Sequence, residues 1–367
     1  MSQFPSPAPP LNIPASDHVV KLSIIDTTTR MNGLASSMFF EPAVKGHEYL
    51  SAPAYSFLIE NESGTRVLFD LAVPKKWENT APIMVNFVRQ LGWEIEVTKN
   101  VSDILIEHGI PLDSISTIIW SHHHWDHTGD PSLFPETTSL TVGPGFKAAM
   151  LPGYPTNPDS PILESAYKGR ELVEISFNQS PELSIGKFRA LDYFGNGSFY
   201  LLDSPGHAIG HLCGLARTTP DTFVFLGGDI CHHSGEMRPT EYLPLPESIT
   251  PNPFPSKFKG ITCPGSVLLN IHPRHSATEP FYRVSSQGSS QDPPEAQKSL
   301  EKLADFDCYE NILTIIAHDA TLLDVLDFFP KSLNDWKAKG YREKGLWKFL
   351  GDFREAVGDI SLTSSSL

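Results

Sequence analysis

The run His122-His123-His124-Trp125-Asp126-His127 constrains this chain more than any other feature, because it crowds four imidazoles and a carboxylate into six residues. It directly follows residues 115–120, Ile-Ser-Thr-Ile-Ile-Trp, a stretch too short for a helix and rich in β-branched side chains, which predicts a buried strand. At a strand end His122 and His124 project to the same side, while Asp126 and His127 come round in the turn and face a second point. Two neighbouring cations could be held there. The bland alternative is a polar histidine turn.

Other positions weigh against that alternative. His207 lies in Ser204-Pro205-Gly206-His207-Ala208-Ile209-Gly210-His211, between two predicted strands, where glycine permits a tight reversal that presents an imidazole. Asp229 follows the predicted strand 222–226 and two glycines, and His318 ends the predicted strand 312–317. Each stands at a strand terminus, as a metal ligand should.

Length and charge narrow the class. The chain has 367 residues, 40% of them apolar, enough for one large elaborated α/β domain. No run approaches the roughly 18 apolar residues of a membrane span. Lys and Arg number 28 against 43 Asp and Glu, a formal charge of −15 that disfavours a nucleic-acid partner. Cysteines at 213, 231, 263 and 308 lack metal-ribbon spacing and suggest a reducing cytoplasm.

The organisation reads as follows. Residues 1–18 are an expected disordered, Pro-rich tail. Strands are expected at 19–25, 55–60, 66–69, 140–142, 188–193, 199–202, 212–216 and 222–226, and a helix from the spacing of Ile83, Phe87 and Leu91. A second helix, 104–107, is expected to be capped by Ser102. Eleven of the 32 prolines fall in 235–300, predicting an insertion of loops within a domain spanning 19–330. A helix is expected at 295–306, further helices at 321–329 and 333–357, and 331–367 as a helical extension of the same domain.

Strand then H-x-H-x-D-H, then P-G-H-x-x-G-H, then G-D after a strand, then A-H-D, resembles the metallo-β-lactamase fold superfamily. The motif order is most similar to N-acyl-homoserine lactonases and fungal lactamase-like hydrolases. The resemblance implies an αββα four-layer sandwich with a dinuclear metal site at one edge. It would make His122, His124 and His207 ligands of one metal, Asp126, His127 and His318 ligands of a second, and Asp229 the bridge. Two zinc ions are implied, with manganese or iron also compatible. A hydroxide between them, oriented by Asp126, would attack a cyclic ester, amide or carbamate, in detoxification or secondary metabolism.

One departure matters. Where the lactonases carry a substrate-contacting tyrosine, three positions after the bridging aspartate, this chain has His232, followed by His233. His232 or His233 is the expected proton donor or carbonyl-binding group, with a structural loop pair as the alternative. Asp70 occupies a position where the superfamily often has an acidic residue supporting the metal loop. His123 and His211 read as supporting residues, Cys231 as a buried thiol, and His272 and His275 as surface. Tyr242, Phe254, Phe258 and Phe281 of the insertion are expected to form an apolar lid over a small cyclic substrate. A metal-dependent thioesterase, glyoxalase II-like or polyketide-releasing, is the alternative enzyme, and a metal-binding scaffold without turnover the alternative class.

Overall fold

Apolar residues alternating along short β-branched runs must bury one face, and here both faces of two sheets are covered. The computed structural model describes residues 5–178, 182–258, 260 and 262–358. The first six-stranded sheet has the spatial order Val20–Asp26, Tyr55–Asn61, Arg66–Phe69, Ile115–Ile119, Ser139–Val142, Leu172–Glu174. Its first three strands are antiparallel and the rest join in parallel. The second sheet runs Leu183–Ile185, Phe188–Asp192, Phe199–Asp203, Leu212–Thr219, Thr222–Leu226, Ile312–Ile315, with the last pair parallel.

Leu22, Ile24, Ile59 and Phe69 of the first sheet meet Leu201, Leu212, Val224 and Ile315 of the second in one core. The outer face of the first sheet, Leu58, Leu68 and Ile118, packs on the helix Val101–Glu107 through Val101, Ile104 and Leu105. The outer face of the second, Phe188, Tyr200 and Phe225, packs on the helix Pro293–Asp307 through Leu300, Leu303 and Phe306. The result is the expected four-layer αββα sandwich.

Several expectations need correction. Asn100, not Ser102, caps the helix at 101, because its side chain and that of Asp103 exchange hydrogen bonds with each other's backbone N–H. In the tail, residues 5–18 dock on the domain: Leu11 is buried, its carbonyl accepts from Gly186 N–H (2.7 Å), and Pro14 O accepts from Arg217 (2.6 Å). Proline-rich backbone offers unpaired carbonyls, and Arg217 supplies donors. Residues 1–4, the rest of that tail, lie outside the described residues.

At the other end, the long helices expected over 321–329 and 333–357 are replaced by short helices such as Tyr341–Gly345 and the 3-10 helix Lys348–Phe353. Leu333, Trp336 and Tyr341 enter the inter-sheet core, whereas Phe349, Leu350 and Phe353 enter a second cluster with Phe254, Phe281 and Tyr282. One straight helix cannot present side chains to two separate cores, and Gly340, at φ 65°, turns the chain between them. The end of the expected extension, 359–367, lies outside the described residues.

Candidate metal centre

Four chain reversals at one edge of the sandwich carry the histidines and aspartates. The strand Ile115–Ile119 runs through Trp120 and Ser121 into His122–His124 and the helical turn Trp125–Thr128. His207 sits in the turn after Phe199–Asp203, where Gly206 at φ 123° is indispensable: a Cβ there would lie 2.0 Å from Ala296 N. Asp229 follows Thr222–Leu226, and His318 follows Ile312–Ile315.

These positions converge. Asp229 Oδ2 lies 3.4 Å from His207 Nε2 and 3.7 Å from His122 Nε2, while Oδ1 lies 3.1 Å from Nε2 of both His127 and His318. His207 Nε2 is 2.9 Å from His124 Nδ1, and Asp126 Oδ2 is 3.5 Å from His318 Nε2. The donor atoms of His122, His124, His207 and Asp229 all lie within 4.8 Å of one another, as do those of Asp126, His127 and His318. His122 Nε2, His127 Nε2 and Asp229 Oδ1 are buried with no hydrogen-bond partner among the described residues. Buried lone pairs left unmet are costly, and a pair of divalent cations would satisfy them all. The residues fit a dinuclear centre.

Surrounding groups fix which ring nitrogens point inward. Ser121 Oγ donates to Asp70 Oδ2 (2.7 Å), so His122 Nδ1–H donates to Ser121 Oγ (2.9 Å), leaving Nε2 bare. His127 Nδ1–H donates to the same Asp70 oxygen (2.9 Å), and His318 Nδ1–H to Pro53 O (2.7 Å). Asp70 holds φ 61°, a strained value for a residue with a side chain. Burial holds His122 and His124 well below the usual imidazole range, so both are neutral lone-pair donors. Burial opposes charge on His127 too, but the carboxylates of Asp229, Asp70 and Asp126 outweigh it and raise that ring.

The expected supporting role of Asp70 thus has a geometry, and Ser121, adjacent to the histidine run, is the partner that sequence reasoning missed. His211 takes the Asp229 N–H on Nε2 (3.0 Å) and anchors Nδ1 on Ser204. His123 stands outside both groups and borders the cavity. Cys231 is buried in the core against the second sheet. His272 is buried, not superficial: its Nε2–H donates to Glu279 O (2.8 Å) and its ring packs on Phe281 at 4.5 Å. His275 is exposed.

His232 Nε2 lies 3.3 Å from Asp229 Oδ2, with its ring 4.6 Å from Phe39. His233 turns away and gives no direct access to the centre. Its Nδ1 accepts Gly235 N–H (3.0 Å), so the proton resides on Nε2, 3.2 Å from Asp352.

A cavity of about 530 Å³ opens onto Asp126, His207, Asp229, His232 and His318. Its apolar lining includes Leu34, Phe39, Met84, Phe87, Trp93 and Trp125. This corrects the expected lid, since Phe254, Phe258 and Phe281 are core residues and Tyr242 does not border the cavity. Ile83 and Phe87 recur at helical spacing on Pro82–Leu91 because they face the cavity; Val85 and Val88 are the buried pair. The insertion contributes Gln287, Gly288 and Ser289.

An edge-mounted His/Asp cluster on an αββα sandwich defines a class, and this chain belongs to the metallo-β-lactamase superfamily, whose model matches residues 52–227. It is a metal-dependent hydrolase. It is 46% identical to gamma-lactamase FDB1 of Fusarium pseudograminearum, over 94% of this chain and 85% of that protein. It is 42% identical to metallo-hydrolase mfmC of Annulohypoxylon moriforme, over 96% of this chain and 92% of that protein. In fold it is similar to an N-acyl homoserine lactone hydrolase solved with N-hexanoyl-L-homoserine at its catalytic metal centre. That likeness has a TM-score of 0.57 and 19% identity, covering 86% of this chain and 99% of the other. No helix of the described residues is long and apolar enough to cross a membrane.

Proposed function

We propose that this protein opens a small cyclic ester, amide or carbamate by adding water across the ring carbonyl. One observation carries the reading: the two oxygens of buried Asp229 each face their own histidine group, the geometry of a carboxylate shared between two cations. His122, His124 and His207 would hold one ion, Asp126, His127 and His318 the other. Zinc suits this donor set, with manganese or iron also compatible. Such a pair, when bound, lowers the pKa of water toward about 7 and polarises a carbonyl.

The chain's own residues do the rest. Asp126, beside His127 and His318 and partly open to the cavity, orients the attacking water. The aromatic wall excludes bulk water and seats the apolar part of the substrate. Burial lowers the His232 imidazole to about 4, so at neutral pH it is an uncharged ring that offers N–H to the carbonyl or the leaving group. No Lys or Arg borders the cavity among the described residues, so the anionic arms of carrier thioesters lack a partner, which supports a ring substrate over a thioester. Four unpaired cysteines support a reducing, cytoplasmic setting.

A mass-spectrometric screen for gain of water across cyclic esters, amides, carbamates and thioesters tests the reading, with metal content measured on the same preparation. Two ions per chain and ring opening are expected. Turnover confined to thioesters, or full turnover after chelation, would overturn it.

A further inference from the structure

The loop that carries His232 is held by a residue outside the centre. We infer that Glu236 is a positioning residue for His232: its buried carboxyl gathers the backbone N–H groups of His232 and His233 and so fixes the His232 imidazole against Asp229. This rests on the role proposed above for His232.

Glu236 is 2% exposed, and its Oε2 accepts from His232 N–H at 2.7 Å and from His233 N–H at 3.0 Å. Two N–H groups converging on one oxygen leave the backbone at 232–233 little freedom, and the side chain leaving that backbone inherits the constraint. The far side of the loop is pinned separately. Ser234 Oγ donates to Asp319 Oδ2 at 2.9 Å, and the His233 ring packs 4.6 Å from His47 and 5.4 Å from Phe349. Those contacts anchor the loop to the body of the protein but place no constraint on the His232 ring. The ring itself packs on Phe39 (4.6 Å) and His207 (4.9 Å), and the Glu236 bond fixes the backbone from which it projects, at the residue whose Nε2 lies 3.3 Å from the shared carboxylate.

A buried acid is a costly way to satisfy two amides unless their placement matters. Burial also pushes the Glu236 carboxyl up to about 8, so near pH 7 it is largely protonated and a glutamine presents the same carbonyl acceptor without change of charge. That supplies a conservative control.

The test is a double-mutant cycle on the metal-loaded full chain, using a ring substrate that the screen identifies. Glu236→Ala is expected to lower kcat about 10- to 100-fold, the usual range for outer partners of a site, with KM and metal content near parent values. Glu236→Gln is expected to recover most of that loss. In a His232→Ala background, Glu236→Ala is expected to cost nothing further, because there is no ring left to place. Full additivity of the two losses would overturn the inference while leaving the role of His232 standing. Parent turnover in His232→Ala would overturn both. Should Glu236→Ala fail to fold, Glu236→Asp withdraws the acid from the two N–H groups with a smaller void and is read by the same cycle.

Discussion

The two histidine groups that flank Asp229 are built alike but charged differently. His122, His124 and His207 set three imidazoles around Asp229 Oδ2, with burial keeping His122 and His124 neutral. His127 and His318 share Asp229 Oδ1 and also face Asp126, and both rings are raised by carboxylates that outweigh burial. The first group faces one carboxylate, Asp229, whereas the second faces Asp229, Asp126 and Asp70. A metal ion therefore meets a stronger field in the second group and competes there with protons that the carboxylates favour on His127 and His318. Asp70 couples the pair, touching His127 directly and His122 through Ser121.

The comparison breaks first at Asp229. Asp229→Ala removes an oxygen from each group, so both ions should be lost and kcat/KM should fall about a thousandfold or more, the several kcal/mol of metal-borne stabilisation. Metal analysis and turnover on one preparation check this, and retention of one full equivalent would show that the groups are independent.

His318→Ala and His207→Ala separate the groups. Each is expected to drop metal content from two equivalents toward one, and in His318→Ala, which lacks a ring the carboxylates raise, the proton release accompanying loading should fall. Proton release in His318→Ala equal to that of the parent, measured calorimetrically in buffers of different ionisation enthalpy, would erase the asymmetry drawn above. Asp70→Ala comes next: loss of the shared anchor should cost about 10- to 100-fold in activity and weaken both ions. A deficit confined to one ion would sever the link through Ser121.

The smallest effect at the centre is expected from a change far from it. Arg238 and Asp307 form a buried two-pronged ion pair at 2.7 Å. Burial works against the Asp307 carboxylate, yet Arg238 holds it below its ordinary range. A carboxylate depressed in the folded state adds stability above its unfolded pKa of about 3.9, and this is lost as pH falls through the lower folded value. Asp307→Asn should therefore lower stability by about 3–5 kcal/mol at pH 7 and flatten the acid limb of the melting curve. Metal content in the surviving folded fraction should not change.

Legibility in the sequence followed the range of the interactions. Most strands, and the His- and Asp-bearing ends of four of them, could be read because β-branched runs and adjacent His/Asp motifs are local signals. The wall of the cavity could not. Phe39, Phe87, Trp93 and Trp125 come from separate segments, and nothing local distinguishes them from Phe254 and Phe281, which are core. Aromatic content alone therefore marks the insertion as a lid, although Phe254 and Phe281 lie in the core. The C-terminal segment is not the pair of long helices its sequence suggests, because its apolar residues answer to two cores. Glu236 left a faint mark, standing three residues after His233 in capping-box spacing.

What the amino-acid order determined alone was the inventory: which side chains can bind cations, which runs must become strands, and where glycine permits a reversal. What the tertiary structure decided was convergence. His122 and His318 are 196 positions apart in the chain, yet their rings face opposite oxygens of one carboxylate. That meeting depends on the parallel pairing of Thr222–Leu226 with Ile312–Ile315 and on packing between the sheets. Such contacts come from many weak apolar interactions distributed over the whole core, so no single stretch of sequence encodes them.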